Sequence, residues 1–169
     1  AKGGTGHYKF IGNYAASLKA SDKAEKMGYD QVLWLDAQHK KYVEEVGSMN
    51  IFFVKNGEVI TPSLEGSILP GITRMSIIEL LKHNGYKVTE RLIDIEEIIQ
   101  GIQSGEVTEC FGTGTAAVIS PVGVIGYKGK DYTIGDGKTG KITMQAYKNL
   151  TDIQHGDAPD VFKWIYKVN

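Results

Sequence analysis

Residues 3–14 read Gly-Gly-Thr-Gly-His-Tyr-Lys-Phe-Ile-Gly-Asn-Tyr, which sets Lys9 between two aromatic residues, Tyr8 and Phe10. An amine among apolar neighbours loses solvation of its charged form, and its pKa falls. A neutral lysine is a nucleophile that can form a Schiff base with an aldehyde. A lone lysine in a glycine-rich segment is more often a solvated surface residue, so the rest of the sequence must decide. Two other segments carry donors suited to anions. Leu69-Pro70-Gly71 opens an expected helix, so Ile72 and Thr73 stand at its N-terminus, where free N–H groups and the helix dipole bind phosphate. Gly112-Thr113-Gly114-Thr115 is a turn that offers a hydroxyl and exposed backbone donors. It lacks both the lysine of a phosphate-binding loop and the third glycine of a dinucleotide fingerprint.

Composition narrows the classes. With 169 residues, 41% hydrophobic and 23% charged, the chain can bury the core of one soluble domain. A net charge of −1 gives no expectation of affinity for nucleic acid or an anionic membrane. Arg74 and Arg91 are the only arginines. The four histidines have no ligand-like spacing, so no metal site is expected. Cys110 is the single cysteine, which excludes an internal disulfide and fits a cytoplasmic setting. No apolar run reaches membrane-spanning length, and Ala1-Lys2-Gly3-Gly4 has no signal-peptide core.

The elements that must position these residues follow from periodicity and punctuation. Asn13 is expected to cap a helix over Tyr14 to Met27, stopped by Gly28. Strands are expected over Asp30 to Asp36, Lys41 to Val46 and Asn50 to Lys55, with Asn56-Gly57 turning the last into Glu58 to Thr61. The helix opened by Leu69-Pro70-Gly71 ends at Asn84-Gly85, and a strand follows over Tyr86 to Ile93. Asp94 and Glu97 read as a capping box for a helix ending near Gly105. Further strands cover Glu106 to Gly112, Ala116 to Ser120, Val122 to Tyr127 and Asp131 to Ile134, and a last helix Lys138 to Ile153. This order implies a mixed α/β domain over 1–169 without regular βαβ alternation.

Four segments in this order, Lys9 with Gly12-Asn13-Tyr14, Glu44-Glu45-Val46-Gly47-Ser48-Met49-Asn50, Leu69-Pro70-Gly71-Ile72-Thr73-Arg74, and Phe111-Gly112-Thr113-Gly114-Thr115-Ala116-Ala117, resemble the large domain of the branched-chain aminotransferases, pyridoxal-phosphate enzymes of fold type IV. The resemblance extends through Pro121-Val122 and Thr151-Asp152-Ile153-Gln154. It implies a mixed β pseudo-barrel with flanking helices, the large domain of the D-amino-acid-aminotransferase-like fold. It implies that Lys9 forms the Schiff base with pyridoxal 5'-phosphate and that Tyr14 hydrogen-bonds the cofactor's phenolic oxygen. Glu45 pairs with the pyridine nitrogen, and Ile72 and Thr73 bind phosphate. Thr115 and Ala116 serve the phosphate and the substrate carboxylate. A buried carboxylate suits the Glu45 role, and on a strand Glu44 faces the other way.

The implied reaction is ping-pong transamination of leucine, isoleucine and valine with 2-oxoglutarate, in a cytoplasmic homodimer. The alternatives left open are a D-amino-acid aminotransferase, an aminodeoxychorismate lyase, or a non-catalytic domain of the same fold. Arg74 is expected to serve structure. Ala117 and Ser120 stand where some members carry a redox Cys-x-x-Cys. A smaller N-terminal domain with a phosphate-binding arginine precedes the lysine in the family. The chain is therefore expected to be a C-terminal domain, inactive alone and exposing an apolar inter-domain face.

Overall fold

Strand alternation builds two cores on the two sides of one central strand. In the computed structural model, which describes residues 3–168, the elements are α1 (Ile11–Lys26), β1 (Leu33–Leu35), β2 (Val43–Val46), β3 (Met49–Lys55), β4 (Glu58–Pro62), α2 (Ile72–His83), β5 (Val88–Arg91), α3 (Ile95–Ser104), β6 (Val107–Gly114), β7 (Val118–Pro121), β8 (Val124–Tyr127), β9 (Lys130–Thr133) and α4 (Lys141–His155). Ala1, Lys2 and Asn169, the ends of the domain expected over 1–169, lie outside the described residues. From β3, Ile51 and Phe53 pack with Ile95, Ile98 and Ile99 of α3 and with Ile125 of β8. Phe52 and Val54 pack on the other face with Ile77 and Leu81 of α2 and with Ala146 and Leu150 of α4. Successive side chains of a strand point to opposite faces, so one run of apolar residues serves both cores. Phe52 stacks on Phe111 of β6 with ring centroids 5.1 Å apart, a geometry that adds to the area both rings bury.

The layer is mostly antiparallel. Along one edge of β3, β2 pairs with its first residues and β4 with its last, while β6 follows the other edge. The sheet therefore divides at β3, as the mixed β core with flanking helices requires. Among the described residues the single parallel pair, β4 with β5, is joined through α2. The β8–β9 hairpin forms a separate two-stranded sheet. Asn56 and Gly57 have φ of 51° and 77°, the left-handed pair that a two-residue hairpin turn needs. Cys110 is buried in the α3-side core, and burial pushes its thiol pKa up. No described helix is long and apolar enough to cross a membrane.

The starts of three helices are held by partners that the local sequence does not announce. The first helix starts at Ile11, with Phe10 as N-cap, and Asn13 lies inside its first turn. Asp94 does cap α3, accepting from the Glu96 N–H, but Glu97 does not complete a capping box. It instead binds Arg91 in bidentate fashion at 2.6 and 2.9 Å, and Lys55 at 2.8 Å. These cations hold the Glu97 carboxyl down to about 2, the Arg91 hydrogen bonds contributing most. The start of α4 is capped from β6: the Glu109 carboxylate accepts the N–H groups of Ile142 at 3.1 Å and Thr143 at 2.8 Å, and the Thr143 hydroxyl at 2.7 Å. A Cβ on Gly140 would fall 2.0 Å from the Glu109 Cδ. Replacing Glu109 by Ala is expected to lower stability by about 1–3 kcal/mol, since three donors lose their acceptor. Thermal unfolding measures this, and an unchanged midpoint would refute the cap.

Candidate functional site

Lys9 sits just before α1, on a loop tied down by one side chain. Asn13 Nδ2 donates to the carbonyls of Thr5 at 2.8 Å and Tyr8 at 3.1 Å, and Thr5 Oγ1 donates to Asn13 Oδ1 at 2.8 Å. Gly6 is pressed against the Ser67 carbonyl, where a Cβ would lie 2.6 Å from the oxygen. The residue expected to start the helix thus clamps the lysine loop to the helix instead.

The apolar envelope expected around the amine is absent from its immediate neighbours. Tyr8 is 61% and Phe10 52% exposed, and Lys9 is exposed with them. Among the described residues, α1 buries none of its own, and Leu18 and Met27 are exposed. What the fold provides is a wide cleft of about 1410 Å³ between α1 and the sheet, lined by Lys9, Tyr14, Val46, Met49, Thr115 and Ala116 among others. Four of the seven expected site residues therefore share one space.

Thr115 and Ala116 reach the cleft on the loop between β6 and β7. The register pairs Gly114 with Val118 and leaves the three residues Thr115–Ala117 as the tip. Val118, a β-branched residue, holds φ at 56°, a conformation that costs energy and persists only where the surroundings impose it. Behind the tip, Gly112 and Gly114 admit Met49. A Cβ on either glycine would come within 3.0 and 3.2 Å of that side chain.

Glu45, Ile72 and Thr73 are absent from the cleft lining, and Asn50 joins Glu45 to the 69–71 turn that precedes Ile72 and Thr73. Strand register places Glu45 opposite Asn50 and Asn50 opposite Thr113, a row across β2, β3 and β6. Asn50 Nδ2 donates to the Leu69 carbonyl at 2.9 Å and approaches Glu45 Oε1 at 3.4 Å. Burial pushes the Glu45 carboxyl up to about 7, against a hydrogen bond from the Leu69 N–H that lowers it; the Glu44 charge raises it further. Gly71 is the N-cap of α2 and no side chain caps the helix, so the N–H groups of its first turn remain available to a ligand. Ile72 is exposed and Thr73 half-buried at this end. Arg74 turns inward, donating to the Pro62 carbonyl and to Glu90, both at 2.8 Å, which matches the structural role expected for it.

Two residues of this group had no role in the sequence reading. Asn50 is 5% and Thr113 1% exposed, and Thr113 Oγ1 is buried with no hydrogen-bond partner. The available signal was a polar residue at a strand position framed by apolar or glycine neighbours, Met-Asn-Ile and Gly-Thr-Gly. Among the described residues, no cluster of three or more His, Cys, Asp or Glu could hold a metal ion.

Comparison with known proteins adds relatives to this geometry. Residues 5–125 match the family described as amino-transferase class IV. A probable branched-chain-amino-acid aminotransferase of Staphylococcus aureus (strain N315) is 58% identical over 163 residues, 96% of this chain and 46% of that protein. The branched-chain-amino-acid transaminase 1 of Bacillus subtilis (strain 168) is 55% identical over 166 residues, 98% of this chain and 47% of that protein. Among solved structures, the branched-chain amino acid aminotransferase from Escherichia coli matches with a TM-score of 0.83 at 33% identity, over 100% of this chain and 54% of that one. The T.th. branched-chain amino acid aminotransferase, complexed with N-(5'-phosphopyridoxyl)-L-glutamate, matches with a TM-score of 0.83 at 31% identity, over 99% of this chain and 52% of that one. The chain spans about half the length of the curated relatives it matches.

Proposed function

Since the chain belongs to the class IV amino-transferases, we propose that it forms the cofactor-bearing large domain of a pyridoxal-phosphate-dependent branched-chain aminotransferase. The proposed reaction exchanges the amino group of L-leucine, L-isoleucine or L-valine with 2-oxoglutarate, and it is the activity of a protein of its relatives' length. A smaller domain completes the site, and the whole works as a homodimer.

The observation that carries this reading is the pairing of an amine cleft with a buried carboxylate at an uncapped helix end. Lys9, Tyr14, Thr115 and Ala116 share the cleft. Glu45 and the bare start of α2 stand together around Asn50. The donor set fits pyridoxal phosphate: a carboxylate for the ring nitrogen, helix N–H groups for the phosphate, and the orphaned Thr113 hydroxyl. When bound, the cofactor supplies an electron sink for the bond broken at the substrate α-carbon.

The remaining steps belong to the chain. Lys9 Nζ would hold the cofactor through its aldehyde and, once freed, would carry the proton of the substrate α-carbon as base and then as acid. The Glu45 carboxylate would pair with the ring nitrogen and favour its protonated form. The Tyr14 hydroxyl orients the ring through its phenolic oxygen. The N–H groups at Ile72 and Thr73, with the Thr115 hydroxyl, hold the phosphate, and the Thr115–Ala116 turn receives the substrate carboxylate. An apolar side-chain pocket separates close homologues by only about 1–3 kcal/mol per methylene, so all three branched-chain amino acids are accepted.

The test is a graft in which this chain replaces the matching segment of the Bacillus subtilis relative. Glutamate formation driven by L-leucine, and not by D-alanine, is expected. A folded graft that uses D-alanine, or neither donor, overturns the reading. The 169-residue chain alone is expected to give no sustained glutamate production, because its cleft is open and α1 buries nothing.

A further inference from the structure

Resting on the pyridoxal-phosphate reading, we infer that Asn50 is a positioning residue whose carboxamide closes a ring with Glu45 and the Leu69 peptide, fixing the carboxylate at a set place relative to the phosphate-binding start of α2. The Leu69 peptide is the hinge of this ring. Its N–H faces the Glu45 carboxylate and lowers that group's pKa against the effect of burial. Its carbonyl accepts from Asn50 Nδ2 at 2.9 Å and from the Gly71 N–H at 2.9 Å. Asn50 Nδ2 also faces Glu45 Oε1 at 3.4 Å, long for a hydrogen bond, so the shorter bond to the Leu69 carbonyl anchors the carboxamide beside the carboxylate.

Gly71 is part of the same device. Its φ of −65° is open to any residue, yet a Cβ there would lie 2.3 Å from Asn50 Oδ1. Glycine is required by contact, so that the turn can sit on the carboxamide. Directly after it come the N–H groups of Ile72 and Thr73, which no side chain caps. Ring-nitrogen and phosphate recognition thus share one polar joint, and the distance between them is set by side-chain bonding across β2, β3 and the 69–71 turn.

The surroundings leave few other groups to set the behaviour of Glu45. On its own strand Glu44 carries charge, and Glu44 is bonded to Ser67. From β1 the residue opposite is Trp34, and from β3 it is Asn50. From the first turn of α2, Arg74 is turned to Pro62 and Glu90.

The experiment is a carbon-13 NMR titration of glutamate-labelled chain without cofactor, with Glu45→Gln assigning the resonance. Asn50→Leu should raise the Glu45 midpoint by about one pH unit through loss of the donor and of the ordered Leu69 N–H. Asn50→Asp should raise it further by adding a like charge. Gly71→Ala, which leaves Asn50 intact, should reproduce the Asn50→Leu shift by pushing the turn away. Thermal melts confirm folding, and Gly71→Ala decides if Asn50→Leu does not melt cooperatively. A Glu45 midpoint unchanged in the folded variants overturns the ring. The cofactor reading is scored separately by borohydride trapping of pyridoxal phosphate. Trapping at Lys9 with no titration shift removes only the ring, and trapping elsewhere with the shift intact removes only the cofactor reading.

Discussion

Glu45→Gln is expected to raise the thermal midpoint of the cofactor-free chain at pH 8 and to leave it unchanged near pH 4. Burial lifts the Glu45 carboxyl from its ordinary value of 4.5 to about 7. Between these values the folded chain retains a proton that the unfolded chain has lost. Stability therefore falls as pH rises through that window, and the loss is complete above about pH 7. A glutamine does not ionise and keeps an acceptor for the Leu69 N–H, so the variant avoids the loss. The gain at pH 8 is up to ~3 kcal/mol, or ~6–12 °C for a chain of this size. Calorimetry at the two pH values measures it, and equal midpoints at pH 8 would refute a carboxylate strained by burial. The same substitution should weaken transamination in the grafted protein by on the order of 10²–10⁴, because a neutral amide does not hold the ring nitrogen protonated. A group that costs stability while free and serves the reaction when paired fits the trade-off between stability and activity.

Lys9→Ala is expected to reduce transamination by the grafted protein on the order of 10⁴-fold or more, since one amine serves as both covalent anchor and proton carrier. In the isolated chain the same substitution should abolish borohydride-dependent attachment of pyridoxal phosphate at the 3–14 segment. The chain has sixteen other lysines, since nineteen basic residues include Arg74 and Arg91. Peptide mapping is therefore the decisive readout. Attachment spread evenly over the lysines of wild-type chain would show that the cleft does not select Lys9. Added methylamine should restore part of the lost rate if the amine acts as the proton carrier, while a purely structural lysine would gain nothing.

Local signals were legible where the partner lies a few residues away. Asn56-Gly57, Gly85 and Gly105 announce their turns because left-handed φ is a property of the residue itself. Asp94 likewise caps its own helix. Asn13, Glu97 and Glu109 were misread or unread because a carboxylate or carboxamide bonds whichever partner the tertiary fold brings. The site divides in the same way. Lys9, Tyr14, Glu45, Ile72, Thr73, Thr115 and Ala116 stand out through motif order. Asn50 and Thr113 acquire their meaning only when strand register sets them in one row with Glu45. The exposure of Tyr8 and Phe10 was equally hidden, since flanking aromatics desolvate an amine only where something packs over them.

The sealed core thiol makes the molecule convenient to instrument. Cys110 is the only cysteine, and both burial and its raised pKa keep it from maleimides under native conditions. A single cysteine introduced at exposed Met27, on the rim of the cleft, would carry a fluorophore without background labelling. Such a probe would register in real time whatever closes over α1, and it would separate docking from chemistry in a way that product assays do not.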